Sequence, residues 1–197
     1  MVYFIVANFQ KLLLMITRGL KVFGRENVPE KGAFLFIANH LSNNDPFLIA
    51  AGTKRHLAYM AKDKLFENPF LRFWLTRLGV FPINREGDPR QVLNQTVEIL
   101  KSGKPTTMFP EGTRNKEDET LQEFKKGAAL VAIRAGVPVV PAAILGTNKK
   151  KGRIAVLFGK PMLPPEYSKE NIARFNDEMA ARVSELIEEL RKKLYDK

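Results

Sequence analysis

At 197 residues, 45% of them hydrophobic, the chain is long enough for one domain with a core of its own. It has no cysteine, which excludes disulfides, thiolate metal sites and a cysteine nucleophile. The formal charge is +11; residues 169–197 balance seven basic against seven acidic side chains, so the whole excess lies in residues 1–168. Such a basic body implies an anionic partner, whether nucleic acid, anionic lipid or a phosphorylated substrate.

The first element is a helix. At 100° per residue, Ile5, Phe9, Leu12, Leu13, Ile16 and Leu20 share one face, and Lys11 and Arg18 lie opposite. A bilayer span needs roughly 20 mostly apolar residues, and Lys11, with Asn8 and Gln10 beside it, interrupts the run. The stretch therefore suits the surface of an anionic membrane, or else its apolar stripe covers the protein's own core. No basic segment precedes it and no small-residue cleavage site follows, so secretion is not expected.

Beyond Gly24, short apolar runs alternate with helical stretches, the pattern of an α/β domain. The expected architecture is one domain with a mixed, mostly parallel central sheet flanked by helices, residues 20–197, preceded by the amphipathic membrane-surface helix, residues 1–19. Strands are expected at 33–38, 57–61, 106–109, 137–144 and 153–158. Helices are expected at 45–53, with Pro46 in the first turn, and at about 126–135. Asn68 and Pro69 open a further helix that Gly79 stops, and Asp88, Pro89 and Gly103 repeat that punctuation. Ser168 caps a long C-terminal helix.

Three expected strand ends carry polar side chains, where open α/β sheets bind ligands. They are Asn39-His40-Leu41-Ser42-Asn43-Asn44-Asp45-Pro46, Phe81-Pro82-Ile83-Asn84-Arg85 and Phe109-Pro110-Glu111-Gly112-Thr113-Arg114. On a continuous helix His40 and Asp45 would point about 140° apart, so a loop turning into a helix must bring them together. Asp45 can then accept from one ring nitrogen and leave the other to take a proton. The plainer alternative is that Asp45 only caps the following helix. His56, with no acidic neighbour, reads as structural. No Gly-x-Ser-x-Gly turn, Gly-x-Gly-x-x-Gly loop, Walker loop or zinc-site pattern is present.

Together these strings resemble the glycerolipid acyltransferase family, which includes the 1-acylglycerol-3-phosphate acyltransferases. The likeness runs from about Leu20 to Ile144 and rests on four blocks in the family's order: Asn39-His40 with Asp45, the segment ending in Arg85, Phe109 to Arg114, and Val137-Pro138-Val139-Val140-Pro141. Phe124-Lys125-Lys126-Gly127 falls between the last two. Asn84 departs from the pattern, since many members carry an acidic residue before the arginine.

The resemblance implies acyl transfer from acyl-CoA or acyl carrier protein, as donor substrate, to the free hydroxyl of 1-acylglycerol 3-phosphate (lysophosphatidic acid), giving phosphatidic acid. His40 would be the general base and Asp45 its orienting partner, with no covalent intermediate, cofactor or metal. Arg85, Arg114 and Thr113 would hold the acceptor's phosphate, with Lys125 a further cation. Gly112 would let the backbone approach the ligand, and Glu111 would orient an arginine or accept from the acceptor's hydroxyl. The aromatic residues Phe66, Phe70, Phe73, Trp74 and Phe81 would line an acyl tunnel, a cluster that core packing explains equally well. The expected location is the cytoplasmic face of a membrane, peripheral or monotopic. Two alternatives stay open: the same chemistry on another acceptor, and a non-catalytic polyanion-binding protein suggested by Lys149-Lys150-Lys151-Gly152-Arg153, although no nucleic acid is expected as a partner.

Overall fold

A computed structural model describes residues 2–83, 88–149 and 151–195, apart from the side chains of Val2, Val6 and Gln10. The strands are β1 (Lys21–Phe23), β2 (Leu35–Ala38), β3 (Tyr59–Lys62), β4 (Val80–Ile83), β5 (Thr106–Met108), β6 (Val139–Leu145) and β7 (Ala155–Phe158). The helices are α1 (Val2–Arg18), α2 (Asp45–Gly52), α3 (Pro69–Arg77), α4 (Pro89–Lys101), α5 (Gly127–Ala135) and α6 (Lys169–Tyr195). The punctuation read from the sequence is realised: Asn68 accepts from the Phe70 and Leu71 amides, Asp88 from the Arg90 amide and Ser168 from the Asn171 amide.

Five strands form one sheet in the order β1-β7-β6-β2-β5. Within it β6–β7 is antiparallel and the other pairs are parallel, so the sheet is mixed and mostly parallel, as expected. The parallel pair β3–β4 joins its edge through a single parallel bridge between Ala58 and Thr106.

Apolar residues run continuously through β2, β6 and β7 because both faces are covered. Leu35, Ile37, Val139, Ala143 and Leu157 face α4, α5 and α6, where Val97, Ala129, Met179 and Leu186 meet them. Phe34, Phe36, Val140, Ala142 and Phe158 point the other way, onto Leu48 and Ile49 of α2. The balanced charges of α6 pair along its outer face, as Arg182 with Glu185 and Arg191 with Glu188.

Helix α1 packs on α2, with half-buried Leu14 against the cluster that holds Leu48 and Ile49; buried Tyr3 bonds to the Arg55 carbonyl and the Leu57 amide, and Arg18 donates to the Gly146, Lys149 and Gly152 carbonyls. Its apolar stripe faces away from the domain: Ile5 is 62% exposed, Phe9 68% and Ile16 74%. Of the expected stripe, Leu20 alone is buried. The stripe therefore does not cover the core. Among the described residues no helix is long and apolar enough to cross a membrane.

Candidate active site

Strands β5, β2 and β6 are adjacent and mutually parallel, so their carboxyl ends meet at one edge of the sheet. That edge receives Glu111 after β5, His40 and Asp45 after β2, and Thr147 after β6.

The β2 exit is set by Asn39, fully buried, whose side-chain amide donates to the Ile144 carbonyl at 2.9 Å and accepts from the Ile144 amide at 2.8 Å. The loop then turns back on Asp45. Asp45 Oδ2 accepts from the Leu41 amide at 2.6 Å and the Ser42 amide at 2.7 Å, and lies 2.8 Å from His40 Nδ1. Thr147 donates its hydroxyl to Asp45 Oδ1 at 2.6 Å. The carboxylate is fully buried, with every contact drawn from the preceding loop or from the β6 exit. Asp45 is therefore not a cap for α2: no side chain caps that helix, and Asp45 accepts from amides of the preceding loop and from Thr147, not from the helix's own first-turn amides. An ionised carboxylate only accepts, so Nδ1 carries the proton and Nε2 keeps a lone pair. The imidazole stacks on Phe109 at 4.1 Å between ring centres, and its side chain is 18% exposed.

Glu111 turns inward. Its Oε1 accepts from the His40 amide at 2.8 Å, and Oε2 is buried without a hydrogen-bond partner among the described residues. Burial pushes its carboxyl up to about 7; the His40 and Gln122 amides oppose that shift, and the Asp45 charge adds to it. It contacts the His40 main chain and no arginine in any described bond. Gly112 has φ +73, and a Cβ there would sit 2.8 Å from Lys125 Nζ, so this turn accepts only glycine without strain. Thr113 donates to Gln122 Oε1 at 3.0 Å, and Arg114 Nη1 donates to Asn43 Oδ1 at 2.8 Å, tying the β5 loop to the β2 loop. The Asn115 amide donates to the His40 carbonyl at 2.7 Å, so His40 is gripped by this loop at both its amide and its carbonyl. Gly112, Thr113, Arg114 and Lys125 are exposed beside this core. Arg85, like Asn84, lies outside the described residues.

Thr147 had no signal in the sequence beyond its place two residues past a strongly apolar strand, the same place His40 holds after β2. His56 packs against Tyr3 with ring centres 4.0 Å apart, and its Nε2 lies 3.3 Å from the Leu78 carbonyl, a packing role outside the site.

An apolar cavity of about 430 Å³ opens beside the residue that follows Asp45. Tyr3 and Ala7 of α1, Phe47 of α2, Met60 of β3 and Leu75 of α3 are among its lining. Of the aromatic residues read as either an acyl tunnel or core packing, Phe70, Phe73 and Trp74 stand exposed on the outer side of α3 and Phe66 and Phe81 are half-buried; none of the five is among the lining of this cavity or in the buried core. For the three on α3 the reason is helical phase, since Leu75 and Leu78 occupy the inward face.

The sequence profile of the family described as Acyltransferase matches residues 19–145. The 1-acyl-sn-glycerol-3-phosphate acyltransferase of Bacillus subtilis is 31% identical over 194 residues, covering 93% of this chain and 96% of that protein. The chloroplastic 1-acyl-sn-glycerol-3-phosphate acyltransferase LPAT1 of Arabidopsis thaliana is 33% identical over 73% of this chain, which spans 43% of that longer protein. Among solved structures, the 1-acyl-sn-glycerophosphate acyltransferase of Thermotoga maritima superposes with a TM-score of 0.74 at 28% identity, over 94% of this chain and 76% of that one. Matched by the profile over more than half its length and by a bacterial relative almost end to end, the chain belongs to the acyltransferase family.

Proposed function

We propose that the protein transfers a fatty acyl group from an acyl thioester, acyl-CoA or acyl carrier protein, to the free hydroxyl of 1-acyl-glycerol 3-phosphate, yielding phosphatidic acid. What carries this reading is the His40–Asp45 pair, 2.8 Å apart, with the carboxylate held by the Leu41 and Ser42 amides and by Thr147. The acceptor hydroxyl gives its proton to His40 Nε2 as its oxygen bonds to the thioester carbonyl carbon. Asp45 stabilises the resulting imidazolium. The carbon–sulfur bond then breaks, and the departing sulfur takes the proton from His40 Nε2 to leave as the thiol, restoring the neutral imidazole. General-base catalysis of this kind contributes about 10² to 10⁴ in rate.

Glu111, bonded to the His40 amide, supports the base from behind. The exposed Gly112, Thr113, Arg114 and Lys125, together with Arg85, are assigned to the acceptor's phosphate; planar guanidinium forks suit two phosphate oxygens at once. The apolar cavity beginning at Pro46 is assigned to an acyl chain, being of the size and lining that bind small apolar ligands. The exposed stripe of α1 is assigned to an anionic membrane surface, which would let the lipid acceptor reach the site without leaving the bilayer.

Purified protein supplied with an acyl thioester and, in parallel, lysophosphatidic acid, glycerol 3-phosphate or lysophosphatidylcholine tests the assignment. Phosphatidic acid should form fastest from lysophosphatidic acid, and Arg114→Ala should raise the KM for that acceptor about tenfold or more, a charged hydrogen bond being worth about 1.5 to 3 kcal/mol. Preference for another acceptor would overturn the substrate, and an unchanged KM would remove Arg114 from the phosphate site.

A further inference from the structure

We infer that α3 is a second membrane-contacting element, whose outward Phe70, Phe73 and Trp74 seat in the interface of an anionic bilayer; the inference rests on the membrane reading of α1 and extends it. None of the nine residues of α3 is buried, and Phe70 is 70% exposed, Phe73 50% and Trp74 41%. Residues spaced three and four apart stand on one side of a helix, so Phe70, Phe73, Trp74 and Arg77 form a single outward patch while Leu75 and Leu78 turn to the cavity. The patch is ordered by its own contacts: Phe73 meets Trp74 edge-on at 5.4 Å, and the Arg77 guanidinium lies 4.4 Å from the Phe73 ring centre.

Three observations favour a bilayer over another protein as the occupant. Large aromatics with cations among them are the composition of a membrane–water interface, and α3 holds Arg72 and Arg77 with no acidic residue, the nearest in sequence being Glu67 ahead of it. Helices α1 and α3 line the same apolar cavity, α1 through Tyr3 and Ala7 and α3 through Leu75, with Leu78 just past its end. A hydrocarbon chain entering that cavity from a bilayer touched by α1 would therefore pass the flank of α3, where Leu65 and Phe47 are also exposed.

The chain has a single tryptophan, Trp74, and its emission tests the inference on the full-length protein without a label. Vesicles of phosphatidylglycerol and phosphatidylcholine should shift the emission to the blue, and the same vesicles with brominated acyl chains should quench it. Phe70→Ser with Phe73→Ser, both at exposed positions, should keep the circular dichroism spectrum and weaken vesicle binding about tenfold or more, as withdrawing two aromatic side chains from an apolar phase requires. Protein that sediments with vesicles while Trp74 emission and quenching stay unchanged would overturn the role of α3 and leave that of α1 standing. Failure to bind vesicles at all would overturn both. A blue shift that depends on protein concentration without lipid would show a second copy of the chain covering the patch, and would also overturn the inference.

Discussion

Thr147 lies 102 positions from Asp45 in the chain and 2.6 Å from its carboxylate. Removing its hydroxyl leaves Asp45 Oδ1 buried with no other hydrogen-bond donor among the described residues, a loss of about 1 to 3 kcal/mol for an unsatisfied buried group. Thr147→Val, close in volume, should lower kcat about tenfold with little change in KM, and Thr147→Ser should restore it; equal effects of Val and Ser would mean that the methyl group and not the hydrogen bond matters. Glu111 makes a separate prediction through its raised carboxyl. The unfolded chain ionises it near 4.5 and the folded chain near 7, so its favourable contribution is full below about 4.5 and is lost as pH rises through about 7. Glu111→Gln keeps an oxygen for the His40 amide and removes the titration, so relative to wild type the variant should gain thermal stability from pH 5 to pH 8. A difference independent of pH would refute the raised value. His40 and Asp45 were legible through their likeness to the Asn-His-x-x-x-x-Asp block of the acyltransferases, since spacing alone favoured Asp45 as a helix cap, whereas Thr147 was not: hydroxyl residues after strands are common, and nothing local marks the one whose strand will lie beside β2.

The elements most easily read were those with side-chain punctuation. Asn68, Asp88 and Ser168 each satisfy amides that a helix start leaves without partners, a local effect that sequence alone conveys. Strand β1 carries no such signal, being three residues at the sheet's edge that pair with β7 more than a hundred positions away. Strand β4 contains Pro82, tolerable because β4 lies at the outer edge of the β3–β4 pair. Helix α1 was legible as a helix, but periodicity could not say which way its apolar stripe faces; Tyr3 decides that, through its packing on His56 and its hydrogen bonds with the Arg55 carbonyl and the Leu57 amide. Because Tyr3 and Arg18 anchor the helix, the decisive change is on its outer face alone. Replacing Ile5, Phe9, Leu12 and Ile16 with Ser or Gln should leave the domain folded by circular dichroism and abolish sedimentation with anionic vesicles. Undiminished sedimentation would assign membrane contact elsewhere.

At the level of the whole molecule, the α/β class and the order of the motif blocks followed from the sequence, but the strand order β1-β7-β6-β2-β5 did not, since strand neighbours are chosen by long-range packing and not by local pattern. That order is what turns separated strings into a site: placing β5, β2 and β6 side by side and parallel brings Glu111, His40 with Asp45, and Thr147 to one edge. In the proposed mechanism this edge performs acyl transfer with His40 as the base. The most direct measurement is the turnover of His40→Ala in phosphatidic acid formation from an acyl thioester and lysophosphatidic acid, with circular dichroism recorded on the same preparation. Activity reduced by about 10² to 10⁴ in a folded protein is the expected result. A folded His40→Ala protein turning over at the wild-type rate would rule out His40 as the base.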